Sequence, residues 1–145
     1  MKILFVCTGN TCRSPMAEGL FRQLLAQRGA EASFACASAG LSAVNGAPPS
    51  ENAVLACREV GVDIAAHRAR RLSAGDLDNW DLFFVMTATH GYILEQAGAS
   101  AQKIYVPQNV ADPFGGDLNV YRACRDQLSA CLEEFLGSLP QEARP

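Results

Sequence analysis

The chain has 145 residues, 49% of them hydrophobic and 19% charged, with 12 basic against 15 acidic side chains and a formal net charge of −3. Such a length suits a single domain over 1–145, able to bury about two-thirds of its unfolded surface. The charge balance argues against a nucleic-acid footprint, and no stretch approaches the ~20 apolar residues of a membrane span.

The opening "MKILFVC" carries one lysine and a short apolar run, below the ~7–15 residues of a signal-peptide core. A cytoplasmic protein is expected, with a monomer as the default. Residues 2–6 predict the first strand. A helix is predicted over 14–28, with Ser14 as cap, Pro15 in the first turn and Gly29 past the end. Residues 33–38 predict a second strand, and 50–60 a second helix that stops at Gly61. A short helix over 73–79 precedes a third strand over 81–86; a helix over 89–97 precedes a fourth strand over 103–106. The last helix, 118–136, has the clearest periodicity. Its apolar stripe is Val120, Cys124, Leu128, Cys131, Leu132 and Phe135, with Asp117 as its cap. "NGAPPS" and "DPFGGD" read as loops, and "HRARR" at 67–71 as a solvated face or turn. Strand–helix alternation implies an α/β protein, a parallel sheet with helices on both faces. Ligands of such sheets bind beyond the carboxyl ends of the strands.

The six cysteines sit in a chain too regular to need staples, so reduced thiols are expected. Cys36, Cys57, Cys124 and Cys131 read as small core residues. No Cys-x2-Cys pair exists, and His67 and His90 lie far apart, so no zinc site is expected.

"CTGNTCRSP" lies between the first strand and the first helix. Gly9 and Asn10 adopt left-handed backbone angles cheaply, so successive N–H groups can turn inward as an anion nest. The helix N-terminus at Ser14 aims its free donors at the same place. Arg13 adds a planar fork for two anionic oxygens. Cys7 would sit at the floor of this cradle, its thiol pKa lowered by the same field and by a hydrogen bond from Ser14. A thiolate beneath a bound phosphoryl group is placed for in-line displacement and a phosphocysteine intermediate. The Gly-Lys-Ser/Thr of a Walker loop is absent, and a thioredoxin-like pair would put two residues between its cysteines. Cys-x5-Arg alone is a loose pattern; its setting between a strand and a Ser-Pro helix start makes it specific. Asp112 in "ADPFGGD" is the candidate general acid; a mere turn initiator is the other reading of that residue. A non-catalytic phosphate-binding module would not need Cys7 and Asp112 together.

On these residues the chain resembles the low-molecular-weight protein tyrosine phosphatases over nearly its whole length. "FVCTGNTCRSPMAE" is similar to their phosphate loop, "SAG" (38–40) to a turn at their second strand, "DLFFVM" to their third strand and "ADPFGG" to their general-acid loop. The resemblance implies a four-stranded, flavodoxin-like, doubly wound three-layer sandwich and no metal or organic cofactor. It implies Cys7 as nucleophile, Arg13 as clamp and Asp112 as acid and then base. Thr8, Gly9, Asn10, Thr11, Cys12 and Ser14 would bind phosphate or shape the loop; Ser38 and Phe114 would support it. Cys12 could form a reversible disulfide with Cys7 that guards against over-oxidation. Phosphorylated proteins are the implied partners. "CTGNTCRSP" with "DPFGG" is most similar to the bacterial protein-arginine phosphatase branch. Thr11, where many tyrosine-directed members carry a bulkier aliphatic residue, offers a hydroxyl for a phosphoguanidinium. Phosphotyrosine is the alternative target. A thioredoxin-coupled arsenate reductase, which shares the loop, would need cysteines between Cys57 and Cys124, where there are none.

Overall fold

A computed structural model describes residues 1–140; residues 141–145 of the expected domain span lie outside the described residues. Four strands, β1 (Lys2–Cys7), β2 (Ala35–Gly40), β3 (Leu82–Val85) and β4 (Ile104–Tyr105), form one parallel sheet in the order β2-β1-β3-β4. Among the described residues five α-helices connect and cover them: α1 (Arg13–Gln27), α2 (Glu51–Arg58), α3 (Asp76–Asn79), α4 (Ala88–Gln96) and α5 (Leu118–Ser138). The α/β class, the parallel sheet and the four-strand count agree with the sequence reading.

β1 is apolar on both faces because both faces are covered. Ile3 and Phe5 join Phe21, Phe84, Phe135 and Leu128 in the larger core, under α1, α2 and α5. Leu4 and Val6 join Phe83, Val85 and Leu94 in the smaller one, on the opposite side. The larger core is knit by aromatic edges: Phe5 meets Phe21 at 5.6 Å, and Phe84 meets Phe135 at 5.2 Å between centroids. Burying each such ring contributes about 1.5–3 kcal/mol. Cys36, Cys57, Cys124 and Cys131 are all buried free thiols, as expected.

Four differences from the sequence reading have physical causes. β2 runs two residues later than predicted, because 31–33 form a 3-10 turn and Ala35 pairs with Lys2. "SAG" therefore ends a strand and is not a turn; Gly40 lies opposite Cys7. A Cβ on Gly40 would stand 2.6 Å from the Thr8 carbonyl, so only glycine lets β2 approach the loop after β1. α3 begins at Asp76 and not at 73, because the Asp76 carboxylate accepts from the Ser73 N–H at 2.8 Å and holds 73–75 as a turn. On α5, Val120 is exposed and Tyr121 takes the buried place at the head of the stripe. Asp117 does cap this helix, accepting from the Val120 N–H at 3.0 Å.

Candidate active site

The loop after β1 wraps the Cys7 sulfur, which lies almost wholly inside the protein. Its Sγ stands 2.8 Å from Ser14 Oγ and accepts from the Asn10 N–H at 3.3 Å. The sequence places Ser14 as the cap of α1. The helix starts one residue earlier, and the Ser14 hydroxyl is spent on Cys7 and Asn10.

Asn10 makes the turn. It is the one non-glycine residue with a positive φ (57°) among the described residues. Gly9, expected to share that conformation, does not adopt it; a single left-handed residue suffices to reverse the loop. Asparagine bears this geometry cheaply, and every polar atom of Asn10 is engaged. Its Nδ2 donates to Ser14 Oγ at 2.8 Å and Ser38 Oγ at 3.0 Å. Its Oδ1 accepts from the Arg70 N–H at 2.9 Å, and its carbonyl lies 2.8 Å from His67 Nε2. The 67–70 segment, read from sequence as a solvated face, thus supports the loop, while Arg68 turns away to carbonyls of its own stretch. A basic cluster alone could not have separated these roles.

Arg13 is buried, and its Nη1 donates to the Val110 carbonyl at 3.0 Å. Its Nη2 comes within 3.7 Å of Asp112 Oδ2. Asp112 is half exposed; its Oδ1 accepts from the Phe114 N–H at 3.1 Å, shaping the turn that lifts the Phe114 ring to the rim, 76% exposed. Thr8, Gly9, Thr11 and Cys12 complete the wall of a pocket of about 180 Å³ that Cys7, Asn10, Arg13, Asp112 and Phe114 also line. Ser14 and Ser38 sit behind it. Cys12 Sγ lies 2.9 Å from Ser50 Oγ and 3.4 Å from the Tyr121 hydroxyl, two partners that the sequence reading missed. They come from the start of α2 and from α5, with no local signal linking them to the loop.

Burial pushes the Cys7 thiol up from its ordinary value, against the pull of the Ser14 hydroxyl, the amides of Ser14 and Asn10, and the Arg13 charge. This corrects the expected lowering, which counted the donors but not the depth of the sulfur. Ser14 is the largest of the opposing influences, so Ser14→Ala is expected to raise the thiol further. A thiolate forms as pH rises through the thiol pKa, so iodoacetate alkylation of Cys7 in the variant should begin at higher pH than in the wild type. Peptide mapping of the alkylated protein over a pH series measures it; an unmoved midpoint would remove Ser14 from the account.

Chemically, the arrangement is an oxyanion cradle with sulfur at its floor, a guanidinium at its side and a carboxylate at its rim. A model of the family described as low molecular weight phosphotyrosine protein phosphatase matches residues 2–144. The protein-arginine-phosphatase of Geobacillus stearothermophilus is 37% identical, with 97% of each chain covered. The crystal structure of the low molecular weight protein tyrosine phosphatase of T. tengcongensis superposes with a TM-score of 0.88 at 38% identity, covering 96% of this chain and 99% of that one. A YwlE arginine phosphatase, a mutant with a phosphorylated active-site serine, gives 0.89 at 31% identity, covering 99% and 100%. With family match and fold in agreement from end to end, the chain belongs to the low molecular weight phosphotyrosine protein phosphatases.

Proposed function

We propose that the chain is a cysteine-dependent protein phosphatase whose favoured target is phosphoarginine. The observation that carries the chemistry is one pocket in which Cys7, Arg13 and Asp112 converge, with Arg13 and Asp112 3.7 Å apart. The Cys7 thiol passes its proton to the Asp112 carboxylate in the shared pocket, the resulting thiolate attacks phosphorus, the bond from phosphorus to the substrate nitrogen or oxygen breaks, and the Asp112 carboxyl gives its proton to the leaving group. Loop amides and Arg13 hold the equatorial oxygens as charge spreads over them. The Asp112 carboxylate then takes a proton from water, which attacks the phosphocysteine; the P–S bond breaks, and inorganic phosphate and the thiolate result. The phosphorylated serine in the YwlE mutant supports a covalent intermediate by analogy. No step draws on a metal or an organic cofactor.

The choice of phosphoarginine rests on two curated relatives named as protein-arginine phosphatases, at 37% and 33% identity over nearly the full chain, and on Thr11 in the pocket wall. A hydroxyl there suits a guanidinium better than a phenyl ring. Phosphotyrosine is the competing reading, favoured by the T. tengcongensis likeness and by the exposed Phe114 ring, which could stack on an aryl group. Matched phosphoarginine and phosphotyrosine peptides decide it. kcat/KM is expected to favour phosphoarginine by at least about tenfold, and Thr11→Ile to shrink that ratio. A ratio favouring phosphotyrosine in the wild type would make the chain a tyrosine phosphatase and leave Thr11 a structural role.

A further inference from the structure

Thr8, the residue after Cys7, is held from two sides. Its carbonyl accepts from the Ser42 N–H at 2.9 Å. Its Oγ1 lies 2.9 Å from Nε2 of His90, a residue 82 positions away in the chain. His90 is buried in the first turn of α4. Its Nδ1 lies 3.0 Å from Thr87 Oγ1, the oxygen that also caps α4 by accepting from the His90 N–H at 3.2 Å. Thr87, His90 and Thr8 thus form one bridge from the end of β3 to the loop after β1. Those strands are neighbours, and the bridge spans the crevice where the order of the sheet reverses.

We infer that His90 is a positioning residue for the proposed reaction, its imidazole holding Thr8, and with it the peptide following Cys7, in the phosphate-binding shape. The inference rests on the reading under Proposed function. The tautomer is assigned as the one that gives the Thr87 hydroxyl proton an acceptor. Thr87 Oγ1 already accepts from a backbone N–H, and its own proton has Nδ1 as a neighbour. Nδ1 then accepts, Nε2 carries the ring proton, and Nε2–H donates to Thr8 Oγ1. Thr8 keeps its hydroxyl proton for an acceptor in the pocket it lines. Burial, helped by the Arg13 charge and opposed by Asp112, lowers the imidazole pKa to about 4, so the ring is neutral near pH 7. A histidine that only filled the start of α4 would not need a second polar partner on the loop. The Asn10 network secures the latter half of that loop; His90 secures its beginning.

A double-mutant cycle tests this on the whole protein, with an aryl phosphate as substrate, inorganic phosphate as competing ligand, and thermal unfolding followed in parallel. His90→Ala and Thr8→Val are each expected to lower kcat about tenfold, and the double variant to be no worse than either. His90→Gln, whose amide N–H can also donate to Thr8, should stay within about threefold of wild type. Additive losses of about a hundredfold in the double variant would overturn the inference. So would a His90→Ala protein that loses stability but keeps its kcat. If His90→Ala does not fold, Thr8→Val and His90→Gln carry the test, and an unimpaired Thr8→Val overturns it. If the wild type turns over neither an aryl phosphate nor a phosphoarginine peptide, the phosphatase reading fails. The same cycle read on affinity for inorganic phosphate still tests His90, and additive losses of affinity there would overturn its role.

Discussion

Cys7→Ser is expected to abolish turnover, with a loss on the order of 10⁴-fold or more in kcat, because the hydroxyl is a far weaker nucleophile than a thiolate and its partners at this position, the Ser14 hydroxyl and the Asn10 N–H, are not bases. The fold should survive: the replaced atom keeps its neighbours Ser14 Oγ and the Asn10 N–H, both able to hydrogen-bond an oxygen. Inorganic phosphate should still bind, since the loop amides and Arg13 are untouched. Steady-state kinetics give the loss, and calorimetry gives the retained binding. In the wild type, acid quench followed by intact-mass measurement should catch one added phosphoryl group on Cys7. Normal turnover by the variant would sink the phosphocysteine route. A wild type that binds phosphate without turnover would identify a binding module instead.

Asp112→Asn should lower kcat by about 10²–10⁴ on a phosphopeptide, because the leaving group then departs without its proton. The loss should shrink on an aryl phosphate whose phenolate leaves readily unprotonated. This leaving-group dependence is the signature of a general acid, and equal losses on both substrates would refute the assignment. Stability should barely change. Asp112 is half exposed and its approach to the buried Arg13 is a long 3.7 Å, so solvent screens the pair to about 1 kcal/mol or less, and Arg13 keeps its bond to the Val110 carbonyl. The amide oxygen introduced by Asp112→Asn can still accept from the Phe114 N–H, so the turn beneath the ring persists.

What the sequence disclosed was what is local. Cys7, Asn10, Arg13 and Ser14 fall within one turn of chain, so their convergence followed from the strand, loop and helix around them. The α5 stripe was legible because its 3.6-residue period meets a single core, although Val120 and Tyr121 exchanged places where the helix emerges from it. The supports contributed from far away escaped. Asn10 is held by Ser38, His67 and Arg70; from sequence Ser38 is named as a support, while His67, Arg68 and Arg70 read equally as loop-orienting residues or as mere caps and salt bridges. Ser50 and Tyr121 at Cys12, and His90 at Thr8, left no mark at all. The raised Cys7 thiol was missed for a related reason: burial is set by everything packed around a sulfur, whereas donors can be counted along the loop.

Arg13 reaches across 97 positions to the Val110 carbonyl, and Cys12 across 109 to the Tyr121 hydroxyl. During synthesis Cys7 therefore emerges long before Asp112 and α5, which packs behind the loop. A nascent chain halted before residue 110 would carry every residue of the anion loop and still lack Asp112, the acid of the proposed reaction, and the Val110 carbonyl that anchors Arg13.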